Sequence, residues 1–207
     1  MNNEKSVGGT GKMDREKLKQ KYGISRTIAI LMQVQMCLVG MGLVISAYGM
    51  IKAVQSPTRL IVYCLQALTC LVILIFGLFL FTKRDIRYFK GVVIFYAVLE
   101  GVRCALLRTG GVDTWSATLA KLLLVALACC AVVLGEHLGE EKYSPLGYLI
   151  VFLETALFLI FALGFPGVEA NLIYKILPIA GILIAGSIVL FNEAKIRQIK
   201  YFEEEKA

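Results

Sequence analysis

The sequence predicts an all-α integral membrane protein of six transmembrane helices, and three observations carry that prediction. Hydrophobic residues make up 58% of the 207-residue chain, with a mean hydropathy of +0.74, well beyond the roughly 45–50% apolar usage of soluble domains. The apolar residues gather into six runs, 27–51, 60–81, 91–107, 115–134, 147–165 and 172–191. Each is close to the ~20 residues that cross a hydrocarbon core of about 30 Å. The positive charge is concentrated on alternate connections: of the 22 Lys and Arg, seven lie in residues 1–26, four in 82–90, one in 135–146 and four after 192, whereas only Lys52, Arg59 and Arg108 lie on the opposite side and Arg103, Lys121 and Lys175 fall within spans. By the positive-inside rule those four segments, and so both termini, are cytoplasmic. The expected organisation is a cytoplasmic tail over 1–26, a transmembrane domain over 27–192 and a cytoplasmic helical tail over 193–207.

The N-terminal tail has no short apolar region followed by a small-residue cleavage site, so the first span serves as its own insertion signal. Its "GGTGK" resembles a phosphate-binding loop only superficially. The GxxxxGK[ST] spacing is missing and Met13 follows the lysine. The following "KMDREKLKQKYGISR" reads as a charged helix against anionic headgroups. The net charge of +7 is thereby explained by topology, and nucleic acid is not expected as a partner; the lipid bilayer is. The six cysteines, Cys37, Cys64, Cys70, Cys104, Cys129 and Cys130, all fall inside spans and form no CxxC pair, so they read as small reduced residues at helix contacts.

The spans form pairs. "LFTKRDIRYF" from Leu80 and "LFNEAKIRQIKYF" from Leu190 each close a span with a basic stretch, and their offset of 110 residues is twice 55. Turn signals recur at a similar interval in "QSPTR", "TGGVD" and "FPGVE", and Glu100 with Glu154, like Lys121 with Lys175, stand 54 residues apart. The simplest account is three parallel two-helix hairpins, over 27–83, 84–138 and 139–195. Glycine-rich first helices ("VGMGLVISAYGMI"), a Pro or Gly turn, and a glycine near the end of the second helix ("LIFGLFLF", "LIAGSIVLF") complete the pattern. On these features residues 27–192 resemble the HdeD-type acid-resistance membrane proteins. The resemblance implies a non-enzymatic membrane protein with a role in stress or acid tolerance, and it carries over no catalytic residue. The middle hairpin departs from the pattern with charges in "VLEGVRCALLRTGG".

Those charges pose the main chemical question. The third run, "FYAVLEGVRCALL", places Glu100 and Arg103 near its middle. A central charge costs roughly 2.5–3.5 kcal/mol on insertion scales, and each Val, Ile, Leu or Phe returns about 0.3–0.6. The nine such residues between Gly91 and Arg108 return roughly 3–5 kcal/mol against about 5–7 for the two charges, so this helix inserts poorly by itself. The i, i+3 spacing puts both charges on one face, which is expected to turn inward because intramembrane ionisable groups avoid lipid.

The candidate polar site is Glu100, Arg103, Lys121, Glu154 and Lys175, with Glu100 expected to meet Lys121 across the second hairpin. Two readings stand: a polar pathway or proton-sensing site, which makes the chain a small transporter or channel for a proton, ion or small solute, or a set of buried pairs that fix helix register while the lysines snorkel outward. No cofactor or metal is expected. His137 in "GEHLGEEKYSPL" lacks HExxH spacing and lies in an acidic loop. GxSxG is absent too, which ranks a membrane-embedded enzyme last. The sequence leaves self-association open.

Overall fold

The computed structural model describes residues 17, 26–83, 89–107, 114–163 and 172–206. Every regular element among them is helical: α1 (Arg26–Lys52), α2 (Pro57–Lys83), α3 (Phe89–Leu106), α4 (Thr114–Glu136), a 3₁₀ turn (Glu141–Tyr143), α5 (Ser144–Leu163) and α6 (Leu172–Lys206). The six apolar runs each fall within, or nearly within, one of these helices. The expected tail helix, like "GGTGK", lies outside the described residues apart from Lys17 and Arg26. The expected C-terminal helical tail continues α6 without a break.

Five helices, α1, α2, α4, α5 and α6, are long and apolar enough to cross a membrane. The remaining one, α3, has 18 residues, and Lys90, Glu100 and Arg103 stand among them. Its local composition therefore does not mark it as a span, in keeping with the insertion arithmetic above.

Each helix packs on the next in sequence and α6 returns to α1, so the bundle closes as a ring in chain order. Within that ring α6 is the most enclosed member. In its apolar stretch 61% of residues are buried, against 22–39% in α1, α2, α4 and α5, and it also touches α2. Small residues make this closeness feasible: Ala180, Ala185 and Ser187 are fully buried, and small side chains let helix backbones approach where hydrophobicity supplies no net drive between helices.

The outer surface is apolar. Val34, Met41, Val44 and Ile51 on α1, Leu68, Leu71 and Leu78 on α2, Leu122 and Val125 on α4, and Phe152 and Leu159 on α5 are all exposed. So large an apolar surface is unfavourable in water, and it suits a bundle embedded in a membrane. Trp115, Tyr48 and Tyr148 also point outward, as interfacial aromatics do.

The contact that closes the ring is polar. Gln35 Nε2 of α1 donates to the Leu183 carbonyl of α6 at 2.6 Å and to Ser187 Oγ at 3.3 Å. Ser187 Oγ donates in turn to the same carbonyl at 2.9 Å.

At one end of the bundle the connection between α4 and α5, expected as a solvated acidic loop, is folded against α6. Gly139 has φ +94°, and its amide donates to the buried Asn192 Oδ1 at 3.0 Å. A Cβ there would also press on Ile199 Cδ1 at 2.6 Å, but the positive φ is what requires glycine. Around this anchor Ser144 Oγ donates to Glu193 Oε1, Lys200 pairs with Glu141 at 2.7 Å, and the His137 ring stacks on Tyr143. The exposed pairs add little, so the buried amide contact fixes the corner.

Replacing Gln35 with Leu is expected to lower stability by about 1 kcal/mol, the scale of interhelical hydrogen bonds in membrane bundles. A thermal unfolding series in detergent checks it, with α1–α6 proximity followed by cross-linking.

Candidate functional site

One face of α3 points into the bundle. Phe89, Val92, Val93, Tyr96 and Glu100 are buried along it, and Arg103 follows at the next helical interval. Between Tyr96 and Glu100 the spacing is i, i+4, and between Glu100 and Arg103 it is i, i+3, so the three polar side chains lie on one stripe. α5 uses the same device. Its buried positions are Gly147, Ile150, Glu154 and Leu157, so Glu154 takes a place in an otherwise apolar inward stripe.

These two stripes meet inside the ring, although α3 and α5 are not ring neighbours. Arg103 Nη1 donates to both carboxylate oxygens of Glu100 at 2.8 Å and to Glu154 Oε1 at 3.1 Å. Tyr96 Oη donates to the same Glu154 oxygen at 2.8 Å. Glu100 and Glu154 are 0% exposed and the Arg103 side chain 10%. One nitrogen thus holds two carboxylates from different helices.

α6 supplies the floor. A Cβ placed on Gly181 would lie 2.7 Å from each oxygen of Glu154, so the carboxylate rests directly on the α6 backbone. Any larger residue would displace it. Glu154 Oε2 is buried and has no hydrogen-bond partner among the described residues. A buried polar atom left in this state costs roughly 1–3 kcal/mol, more for a charged group.

Of the sequence-predicted site residues the structure brings Glu100, Arg103 and Glu154 together. Lys121 is half-buried on α4 and makes no ion pair among the described residues. Its carbonyl accepts from Cys104 Sγ at 3.7 Å, which ties α4 to α3 beside the cluster. The expected Glu100–Lys121 pair does not form because Arg103, one turn away on the same helix, already engages both Glu100 oxygens. The side chain of Lys175 lies outside the described residues.

Sequence reasoning missed Tyr96, whose position four residues before Glu100 was the available signal. It also missed Gly181, which has no side chain to signal a role. A groove of about 530 Å³ between α4 and α5, lined by Trp115, Leu119, Leu122 and Leu159 among others, opens to the outer surface and has no ionisable lining residue. Among the described residues no group of three His, Cys, Asp or Glu could hold a metal ion. Comparison with family models, with curated proteins and with solved structures finds no match.

Chemically, the cluster can hold charge and pass hydrogen bonds between α3 and α5. Removing Arg103 would leave two carboxylates facing each other without a cation, and breaking a buried pair in this way costs about 3–5 kcal/mol. Arg103→Ala is therefore expected to destabilise the bundle by that amount. Arg103→Met combined with Glu100→Gln and Glu154→Gln should recover most of the loss, because no buried charge then remains. Denaturant titration of the purified variants in detergent makes the comparison.

Proposed function

We propose that this chain is a small transporter of the cell membrane, non-enzymatic, with six spans and both termini in the cytoplasm, whose cargo passes the Glu100–Arg103–Glu154 cluster. The carrying observation is the pair of fully buried carboxylates held by one guanidinium across the middle of the ring. Ionisable groups inside a membrane domain are expensive and mark ion or solute pathways by default. A register-fixing role alone would be met by a single pair. The third member, from a non-adjacent helix, and the Glu154 oxygen that has no partner among the described residues favour a site that binds something.

The count of six spans draws support from the place of α3 in the ring, where neighbouring helices cover its charged stripe. The three-hairpin reading draws support from the ring order and from the position 54 residues before Glu100, where Ser46 is fully buried. Ser46, Glu100 and Glu154 would then be equivalent positions, with the first hairpin carrying a neutral member. The resemblance to HdeD-type proteins rests on the same hairpins, and a role in acid tolerance would follow from a site whose cargo or charge responds to protons.

Liposomes containing the purified protein are the direct test, with proton, alkali cation, anion and neutral solute flux each followed after a concentration jump. Saturable flux above that of empty liposomes, lost in Glu100→Gln and Glu154→Gln, is the expected result. Flux equal to empty liposomes for every solute rejects transport. Epitope tags on both ends should be protected and exposed together, since an even number of crossings returns the chain to its starting side.

A further inference from the structure

We infer that the cluster is a receptor for one positive charge, with Glu154 Oε2 as its contact atom, so that the cargo is a proton or another monovalent cation and not an anion or a neutral solute. This inference rests on the transport reading for its role, though not for its chemistry.

The argument is a charge count in a closed space. The ionisable groups that act on one another there are Tyr96, Glu100 and Arg103 of α3 and Glu154 of α5. α6 presents Gly181, which has no side chain, and Lys121 of α4 joins none of them by an ion pair. Arginine carries its proton at every physiological pH and the tyrosine is neutral as a donor. One guanidinium thus faces two carboxyl groups, and with both ionised the cluster is one negative charge in excess. Excess charge removed from water is strongly unfavourable unless a counter-charge arrives.

The geometry says where it arrives. Both Glu100 oxygens are engaged by Arg103, and Glu154 Oε1 accepts from Arg103 and Tyr96. Glu154 Oε2 alone accepts nothing among the described residues, and it belongs to a side chain with no exposure. A proton would convert it to a hydroxyl and neutralise the cluster. A cation would do the same by direct contact. Gly181 sets no side chain beside that atom, since a Cβ there would lie 2.7 Å from both oxygens. An anion would meet two carboxylates and only one shared guanidinium nitrogen, which makes the site repulsive to it.

Two measurements on the full chain test this. In detergent, the melting temperature of the wild type is followed against NaCl, KCl, RbCl and LiCl, with choline chloride holding ionic strength constant, and separately against pH. A ligand that binds only the folded state raises the melting temperature with its concentration. The wild type is expected to respond either to pH alone, which assigns the proton, or to one alkali cation at fixed pH. The response should vanish in Glu154→Gln, and Gly181→Ala should weaken it at least tenfold in apparent affinity because the new methyl displaces the carboxylate.

A wild type indifferent to every cation and to pH, or a response unchanged in Glu154→Gln, overturns the inference. Should Glu154→Gln fail to fold, Gly181→Ala decides, and an unchanged apparent affinity there overturns it too. Liposome flux is scored independently. Anion or neutral-solute flux that ignores Glu154→Gln overturns the cation assignment, whereas absent flux with a cation-dependent melting temperature rejects transport and leaves the binding site in place.

Discussion

The bundle is organised around one guanidinium nitrogen. Arg103 Nη1 reaches two oxygens of Glu100 on its own helix and one of Glu154 on another, and that arrangement lets α3 turn its charged stripe into the bundle. Its apolar residues alone return less than its charges cost. The ring shields the charged stripe, and the stripe in turn fixes how α3 is rotated within the ring, because any other rotation would break these contacts and turn Glu100 and Arg103 toward the apolar outside of the bundle. Packing and electrostatics therefore impose the same orientation.

The same constraint explains why α6 is the most enclosed helix. Its small residues allow its backbone to come within contact of Glu154 from one side and of Gln35 from the other. In lipid, apolar side chains gain little by touching each other in place of acyl chains, so close backbone approach and interhelical hydrogen bonds carry the association. The ring closes where both are available. Buried apolar residues still line the inside of the bundle, and further large apolar side chains face outward over α1, α2, α4 and α5.

Much of this was legible in the residues. Six apolar runs locate six helices to within a few positions, apart from the C-terminal end of α6, which runs on to Lys206, because a run of that length has few alternatives to a helix when backbone groups must be satisfied internally. The inward turn of Glu100 and Arg103 follows from their spacing and their cost. What the sequence could not supply was the partner across the bundle. Lys121 was chosen for Glu100 by depth along the hairpin, but depth says nothing about helix rotation, and Arg103 was already within reach. Glu154 was recognised as a candidate without its link to Arg103, because that link joins residues 51 apart through the interior of a ring. Tyr96 was hidden among apolar neighbours as an ordinary aromatic. The α4–α5 connection looked like solvated acid because its anchor, Asn192, lies on a different helix.

The length of α6 has a mechanical consequence. Its 35 residues form one helix of about 52 Å at 1.5 Å per residue, well beyond a hydrocarbon core of about 30 Å, and its one proline, Pro178, lies before Gly181. Near one end it forms the floor beneath Glu154, and farther along it is clamped to the α4–α5 corner through Asn192 and Lys200. A continuous helix behaves as a stiff rod over this distance. A small tilt forced at Gly181 by whatever displaces the Glu154 carboxylate would be magnified at Lys200, and the corner would swing with it. Displacement of a buried oxygen would in this way be felt at the α4–α5 corner.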